Sequence, residues 1–232
     1  MKRLERTTLL LGPQKMTMLQ KSHVAVFGLG GVGGFAVEAL ARSGVGHFDL
    51  IDKDTIDETN INRQIIATQS TIGQYKTDVM KKRIKDINPN TAVHTFPVFY
   101  LPSTKHMFDF TQYDYIIDAV DTVTAKLTLI EEAYFHNIPI ISAMGAGNKL
   151  DPTKFEVADI FQTSIDPLAK IIRKELRKRD IDHLKVVYST ERPIKIKSAD
   201  SSEKIIGSIS FVPSVAGLIL ASEVIKDLTN TN

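Results

Sequence analysis

From Ser22 to Ile141, short apolar runs alternate with longer segments whose apolar residues recur at helical spacing. This is the pattern of a parallel sheet with helices on both faces. Val24–Phe27 reads as a strand, Gly28-Leu29-Gly30-Gly31-Val32-Gly33-Gly34 as a turn, and Phe35–Ser43 as the following helix, with Val37, Leu40 and Ala41 on its apolar side. Phe48–Ile51 is a second strand closed by Asp52, and Thr77–Ile87 is a Lys-rich helix that stops at Asn88-Pro89. Ala92–Val98, Tyr115–Val120 and Ile138–Ala143 supply three more strands, with a helix over Val123–His136 and a glycine turn at Gly145-Ala146-Gly147. After Asp151-Pro152 the rhythm changes to a strand at Phe155–Ile160, a helix at Leu168–Arg179 and a polar stretch at Ser198–Glu203. Gly207–Leu228 is the most apolar helical candidate, and its portion at about 212–228 is expected to close the core. The expected architecture is α/β: one doubly wound, Rossmann-like, mostly parallel sheet over residues 1–232, with a basic C-terminal extension at about 162–204.

Composition narrows the chemistry. With 43% hydrophobic and 24% charged residues the chain suits an ordinary soluble domain. Lys and Arg number 29 against 27 acidic residues, so no global field favours a nucleic acid, and any such partner is held by a local patch. There is no cysteine, which excludes disulfides, thiolate-held zinc, iron–sulfur clusters and a thiol nucleophile of the chain's own. No apolar run approaches a membrane span, and residues 1–11 lack the small-residue cleavage site of a signal peptide, so a cytoplasmic protein without a membrane partner is expected.

The glycine run has a direct physical use. Backbone must approach a phosphate closely, and the N–H groups at the start of a helix present a positive dipole end. Gly28, Gly30 and Gly33, with Gly31 between them, satisfy the generic dinucleotide pattern, and Asp52 stands where a carboxylate accepts ribose hydroxyls. A nicotinamide dehydrogenase fits this much equally well. The segment after Asp52 separates the two readings: Asp54, then Asn60-Ile61-Asn62-Arg63-Gln64, then Gly73-Gln74-Tyr75-Lys76. Two cations near one nucleotide suit a triphosphate, although Arg63 and Lys76 also read as plain surface charges. Asp121 then offers an oxygen ligand to Mg²⁺, with Asp118 beside it at the strand end.

Together, Gly28–Gly33, Asp52, the Asn60–Gln64 block, Gly73–Lys76 and Asp118-Ala119-Val120-Asp121 resemble the adenylating enzymes that activate ubiquitin-like proteins, the ThiF, MoeB and HesA group. Arg3-Leu4-Glu5-Arg6 followed by Gly12 resembles that group's leading segment, which implies a homodimer in which Arg6 crosses to the partner's ATP. Thr122 and Lys126 stand where the group carries Asn and Arg. Within it, the chain most resembles the tRNA threonylcarbamoyladenosine dehydratases, through Asp121-Thr122-Val123, Ala125-Lys126, Gly145-Ala146-Gly147, Asp151-Pro152-Thr153, Asp166-Pro167-Leu168 and Gly207-Ser208. That resemblance implies ATP-dependent adenylation of the carboxylate on a modified tRNA adenosine, then ring closure with release of AMP. Arg6, Arg63, Lys76 and a Mg²⁺ on Asp121 would stabilise the phosphate charge. It further implies a Na⁺ or K⁺ ion near Gly145–Gly147 and a sulfur-transfer protein as an occasional partner. An acyl-adenylate needs no enzyme thiol, because AMP is already a good leaving group and the nucleophile is tethered.

Lys170–Lys197 holds ten Lys or Arg against four acidic residues. In its helix Lys170, Arg173, Lys174, Arg177 and Lys178 flank an apolar stripe, and with the resemblance this face is expected to contact RNA phosphates. Tyr188 and Phe161 read as ordinary partly buried aromatics, and the six histidines as scattered, without ligand spacing. Two rival functions stand beside the main one: activation of a ubiquitin-like sulfur carrier's C-terminus, and an NAD-dependent oxidoreductase.

Overall fold

The computed structural model describes residues 2–196 and 206–231; Lys197 and the polar stretch Ser198–Glu203 lie outside the described residues. Two helices open the chain, α1 (Glu5–Leu11) and α2 (Pro13–Lys21). They are split at Gly12, whose φ of 80° ends the first, and Pro13 starts the second at the position where a missing N–H costs nothing. Then follow β1 (His23–Phe27), α3 (Gly33–Ser43), β2 (His47–Ile51), α4 (Lys76–Ile87), β3 (Ala92–Phe96), β4 (Tyr115–Asp118), α5 (Val123–Phe135), β5 (Ile140–Ala143), β6 (Phe155–Asp159), α6 (Pro167–Arg177), β7 (Lys185–Ser189) and α7 (Phe211–Leu228). The sheet runs β3-β2-β1-β4-β5-β7-β6, parallel throughout except for β6, which is antiparallel to β7.

Six strands and five helices fall on the expected segments. The basic segment differs. It is no extension, because β7 comes from its middle and inserts between β5 and β6, with Val186 and Val187 buried. Lys185, counted among its cations, pairs with Glu223 at 2.8 Å and Asp227 at 3.0 Å on α7.

Alternation along each strand sorts the core into two layers. Val24, Val26, Phe48, Leu50, Ile117 and Ile141 face α3, α4 and α7, with Met16 and Leu19 of α2 at the margin. Ala25, Phe27, Ile51 and Ile116 face α5 and an aromatic group from the β3–β4 connection, while Val186 and Tyr188 of β7 lie in a neighbouring cluster with α6. Each fully buried aliphatic side chain contributes roughly 1.5–3 kcal/mol, so α7, which buries Val212, Leu220 and Val224, holds a large share of the first layer. It does so at close range: a Cβ on Gly217 would fall 2.2 Å from the Val32 carbonyl oxygen, so α7 rests directly on the glycine turn.

Register also corrects the reading of the histidines. His23 pairs with His47 across β1 and β2, and Asp49 with His94 across β2 and β3. Residues far apart in sequence therefore gather on one face. Among the described residues no helix is long and apolar enough to cross a membrane.

Candidate nucleotide site

The chain leaves β1 for β2 on one side and reaches β4 on the other, so the gap between β1 and β4 at their carboxyl ends is the switch point where open α/β sheets bind ligands. A cavity of about 510 Å³ opens there, a size that suits a nucleotide. Gly28, Gly30, Gly31, Asp52, Asp54, Asn60, Arg63, Gln64, Lys76 and Asp121 all line it.

The glycine turn is shaped by backbone contact. Gly28 has φ of 91° and its missing Cβ would lie 2.6 Å from the Ala119 carbonyl; a Cβ on Gly33 would fall 1.9 Å from the Gly28 carbonyl. Gly33 is thus the close-packing glycine beneath the turn rather than part of the cavity wall. Behind it α3 begins with no side-chain cap; the Gly34 N–H donates to the Gly30 carbonyl at 3.0 Å, and the positive end of the helix is left for an anion.

Asp52 joins two loops. One carboxylate oxygen accepts from Leu29 N at 2.6 Å and the other from Asp54 N at 2.9 Å. Burial pushes its carboxyl above the ordinary range, against the opposing pull of Lys76 and these two N–H donors. Lys76 opens α4 with its side chain almost wholly buried, and its Nζ lies 3.0 Å from Asp54 Oδ2. Arg63 sits on a turn that Asp57 and Asn60 cap reciprocally, and it donates to Thr59 O at 3.0 Å and Asn62 Oδ1 at 2.9 Å. Asp121 is exposed at the cavity, and Thr122 Oγ1, at 3.3 Å, is its only hydrogen-bond partner among the described residues.

Besides Gly33, two expected residues do not line the cavity. Asp118 is fully buried below it, where Oδ2 accepts from Lys126 Nζ at 2.7 Å and Ser142 Oγ at 2.5 Å and Oδ1 from Val120 N at 3.2 Å. Its bonds to Lys126, Ser142 and Val120 brace the ends of β4 and β5, the strand-end support that its position in the sequence suggests. Arg6 is exposed on α1 and does not line the cavity.

The sequence reading missed the wall formed by Val98, Phe99 and Tyr100. The expected strand through Val98 stops at Phe96, before Pro97, and the chain turns over the cavity. Tyr100 Oη and Gln64 Oε1 are buried in this wall without hydrogen-bond partners among the described residues. Lys53, also on the wall, lies over the Phe99 ring at 4.3 Å.

On α6, Lys170, Lys174 and Arg177 are exposed, as is Lys178 at its C-cap, with Arg177 over the Phe161 ring and Lys178 paired to Glu175. Arg173 has a different task from the expected RNA contact: it is half-buried and donates to the carbonyls of Ile160 and Thr163 and to the Thr163 hydroxyl. At the Gly145 turn, the Gly145 carbonyl accepts from Lys149 Nζ at 2.6 Å, and the same ammonium faces Asp166 at 3.4 Å. Burial lowers the Lys149 pKa although Asp166 opposes that shift.

Comparisons with known proteins agree with this geometry. Residues 4–232 match the ThiF family. The tRNA threonylcarbamoyladenosine dehydratase of Bacillus subtilis (strain 168) is 48% identical, over 96% of this chain and 93% of that protein. The Haemophilus influenzae dehydratase is 45% identical over 72% of this chain, and the alignment spans 64% of that protein. The structure of E. coli tRNA N6-threonylcarbamoyladenosine dehydratase, TcdA, in complex with ATP superposes with a TM-score of 0.90 at 33% identity, covering 99% of this chain and 94% of that one. Its AMP complex superposes at 0.91.

Proposed function

The chain belongs to the ThiF family, and from that premise we propose that it is an ATP-dependent tRNA threonylcarbamoyladenosine dehydratase working on the tRNA of the cytoplasm. The observation that carries the reading is the single cavity at the switch point, where a glycine turn and uncapped helix start face Arg63, Lys76 and Asp121. A nicotinamide cofactor has a pyrophosphate alone to neutralise, whereas a triphosphate makes use of both cations.

The substrate carboxylate attacks the α-phosphorus of ATP, forming an acyl-adenylate and releasing pyrophosphate. A heteroatom of the same threonylcarbamoyl group then attacks the activated carbonyl, AMP departs, and the net change in the nucleoside is loss of one water. Lys76, held by Asp54 in a nearly dry position, and Arg63, fixed by its turn, stabilise the charge that builds on the phosphates. Asp52 binds the ribose hydroxyls, and the unpaired Tyr100 and Gln64 atoms take partners from the bound substrates. Asp121, an exposed carboxylate with a single weak internal partner, fits a hard divalent cation, and Mg²⁺ held there would neutralise phosphate charge.

The tRNA lies along the exposed cations of α6, chiefly Lys170 and Lys174. Two copies pair through α1, whose Leu9 and Leu10 are 82% and 88% exposed, and this brings Arg6 to the partner's site.

The test is mass analysis of the modified adenosine in tRNA incubated with the protein and ATP, with a loss of one water expected. Lys76→Ala and Asp121→Ala are each expected to abolish AMP formation with the circular dichroism spectrum unchanged; full turnover in both would overturn the site assignment. Pyrophosphate exchange that requires a ubiquitin-like protein instead of tRNA would select the sulfur-carrier activator.

A further inference from the structure

A second group of chemistry-bearing side chains sits on β1, β2 and β3, one at the amino end of its strand and two in mid-strand, away from the carboxyl ends that face the nucleotide cavity. His23 is the first residue of β1, Asp49 is central in β2 and His94 is central in β3. Asp49 is the register partner of both Ala25 and His94, and His23, two residues before Ala25, shares its face. The side chains therefore converge: Asp49 Oδ1 lies 2.8 Å from His23 Nε2 and 2.9 Å from His94 Nδ1, and the donor atoms are all within 4.8 Å of one another. Neither the nucleotide site nor the basic helix uses any of them.

The geometry points to a binding site for a divalent transition metal of the zinc class, with His23, Asp49 and His94 as ligands. Two imidazole nitrogens and one carboxylate oxygen are the donor set that zinc, cobalt(II) and nickel(II) accept, and hard cations such as Mg²⁺ do not favour imidazole. The spacing of the donors is already close to that around one ion, because adjacent strands of a sheet hold them. The carboxylate is oriented from behind, since Tyr113 Oη donates to Asp49 Oδ2 at 2.9 Å and leaves Oδ1 toward the histidines. Access is one-sided: Asp49 and His23 are 7% and 15% exposed at the side chain, and His94 is 63% exposed. An ion thus enters past His94 and keeps an outer position for water. The bound ion would cross-link β1, β2 and β3, the strands that support the glycine turn and Asp52.

The full-length chain, carrying no affinity tag and stripped with a chelator, is titrated with Co²⁺ and Zn²⁺ by absorption spectroscopy and calorimetry. One ion per chain is expected to bind with imidazole-type cobalt ligand-field bands. Zinc at a hundredfold excess over its Kd should raise Tm by about 5 °C. His94→Ala, an exposed change with little cost to folding, should weaken the metal by at least tenfold and remove the Tm shift while ATP affinity stays the same. His23→Gln provides a second variant with the same expectation. Wild-type protein that binds neither ion, or a His94→Ala variant that binds zinc with wild-type stoichiometry and affinity, would overturn the proposal.

Discussion

Asp52 holds two loops together, the glycine turn through Leu29 N–H and the cation loop through Asp54 N–H, while its own pKa is raised by burial. A carboxyl with a raised folded-state pKa costs stability when ionised. That cost is absent below the ordinary Asp range, grows as pH rises through it to the shifted value, and is constant above. Asp52→Asn relieves the cost and removes one of two N–H acceptors, each of order 1 kcal/mol. Denaturant unfolding at pH 7 is therefore expected to change by less than about 1 kcal/mol. ATP affinity, measured calorimetrically, should fall roughly ten- to hundredfold, the equivalent of losing a charge-assisted hydrogen bond of about 1.5–3 kcal/mol. The residues of this site were largely legible in the sequence, because the glycine turn and Asp52 directly follow strands whose ends converge, and Asn60–Gln64 and Lys76 form recognisable polar blocks in the long connection after β2. Asp121 reads from the sequence as the ligand and Asp118 as strand-end support. What distinguishes them in the structure is Lys126, eight residues after Asp118, which turns inward from α5 and pairs with it. Tyr100 was illegible, because its place depends on where the loop after β3 folds back.

At the scale of elements, α6 performs two tasks on its two sides. Arg173 ties the helix to the carbonyls of Ile160 and Thr163, whereas Lys170 and Lys174 face solvent. Arg173→Ala should therefore lower stability by about 1–3 kcal/mol, by leaving partly buried acceptors unpaired, a loss readable in thermal unfolding. The double change Lys170→Glu and Lys174→Glu should leave unfolding unchanged and reduce tRNA affinity severalfold, with a shallower salt dependence than the parent and unaltered ATP binding. Fluorescence anisotropy across a salt series checks both. Strong periodicity made α3, α4, α5, α6 and α7 readable. The elements that escaped have physical reasons: α1 and α2 are short and interrupted at Gly12-Pro13, and β7 is a five-residue run embedded in cations. A strand of that length is identified by its neighbours β5 and β6, which no local pattern displays.

For the whole molecule, the near balance of 29 basic against 27 acidic residues conceals an uneven distribution of surface. The exposed Leu9 and Leu10 on α1 give one face an apolar character that a lone copy would leave in water. Leu9→Glu with Leu10→Glu should shift a dimer to monomer in analytical ultracentrifugation and reduce AMP formation at least tenfold, because Arg6 would then reach no partner site. The first three strands also carry two separate groups of functional side chains, the nucleotide cavity at their carboxyl ends and His23, Asp49 and His94 between the start of β1 and the middle of β2 and β3. The ammonium of Lys149 on the Gly145 carbonyl has a final consequence, in the language of specific-ion effects. If that ammonium supplies the charge that the resemblance assigns to a Na⁺ or K⁺ ion beside Gly145–Gly147, exchanging sodium for potassium at constant ionic strength should leave turnover where it was.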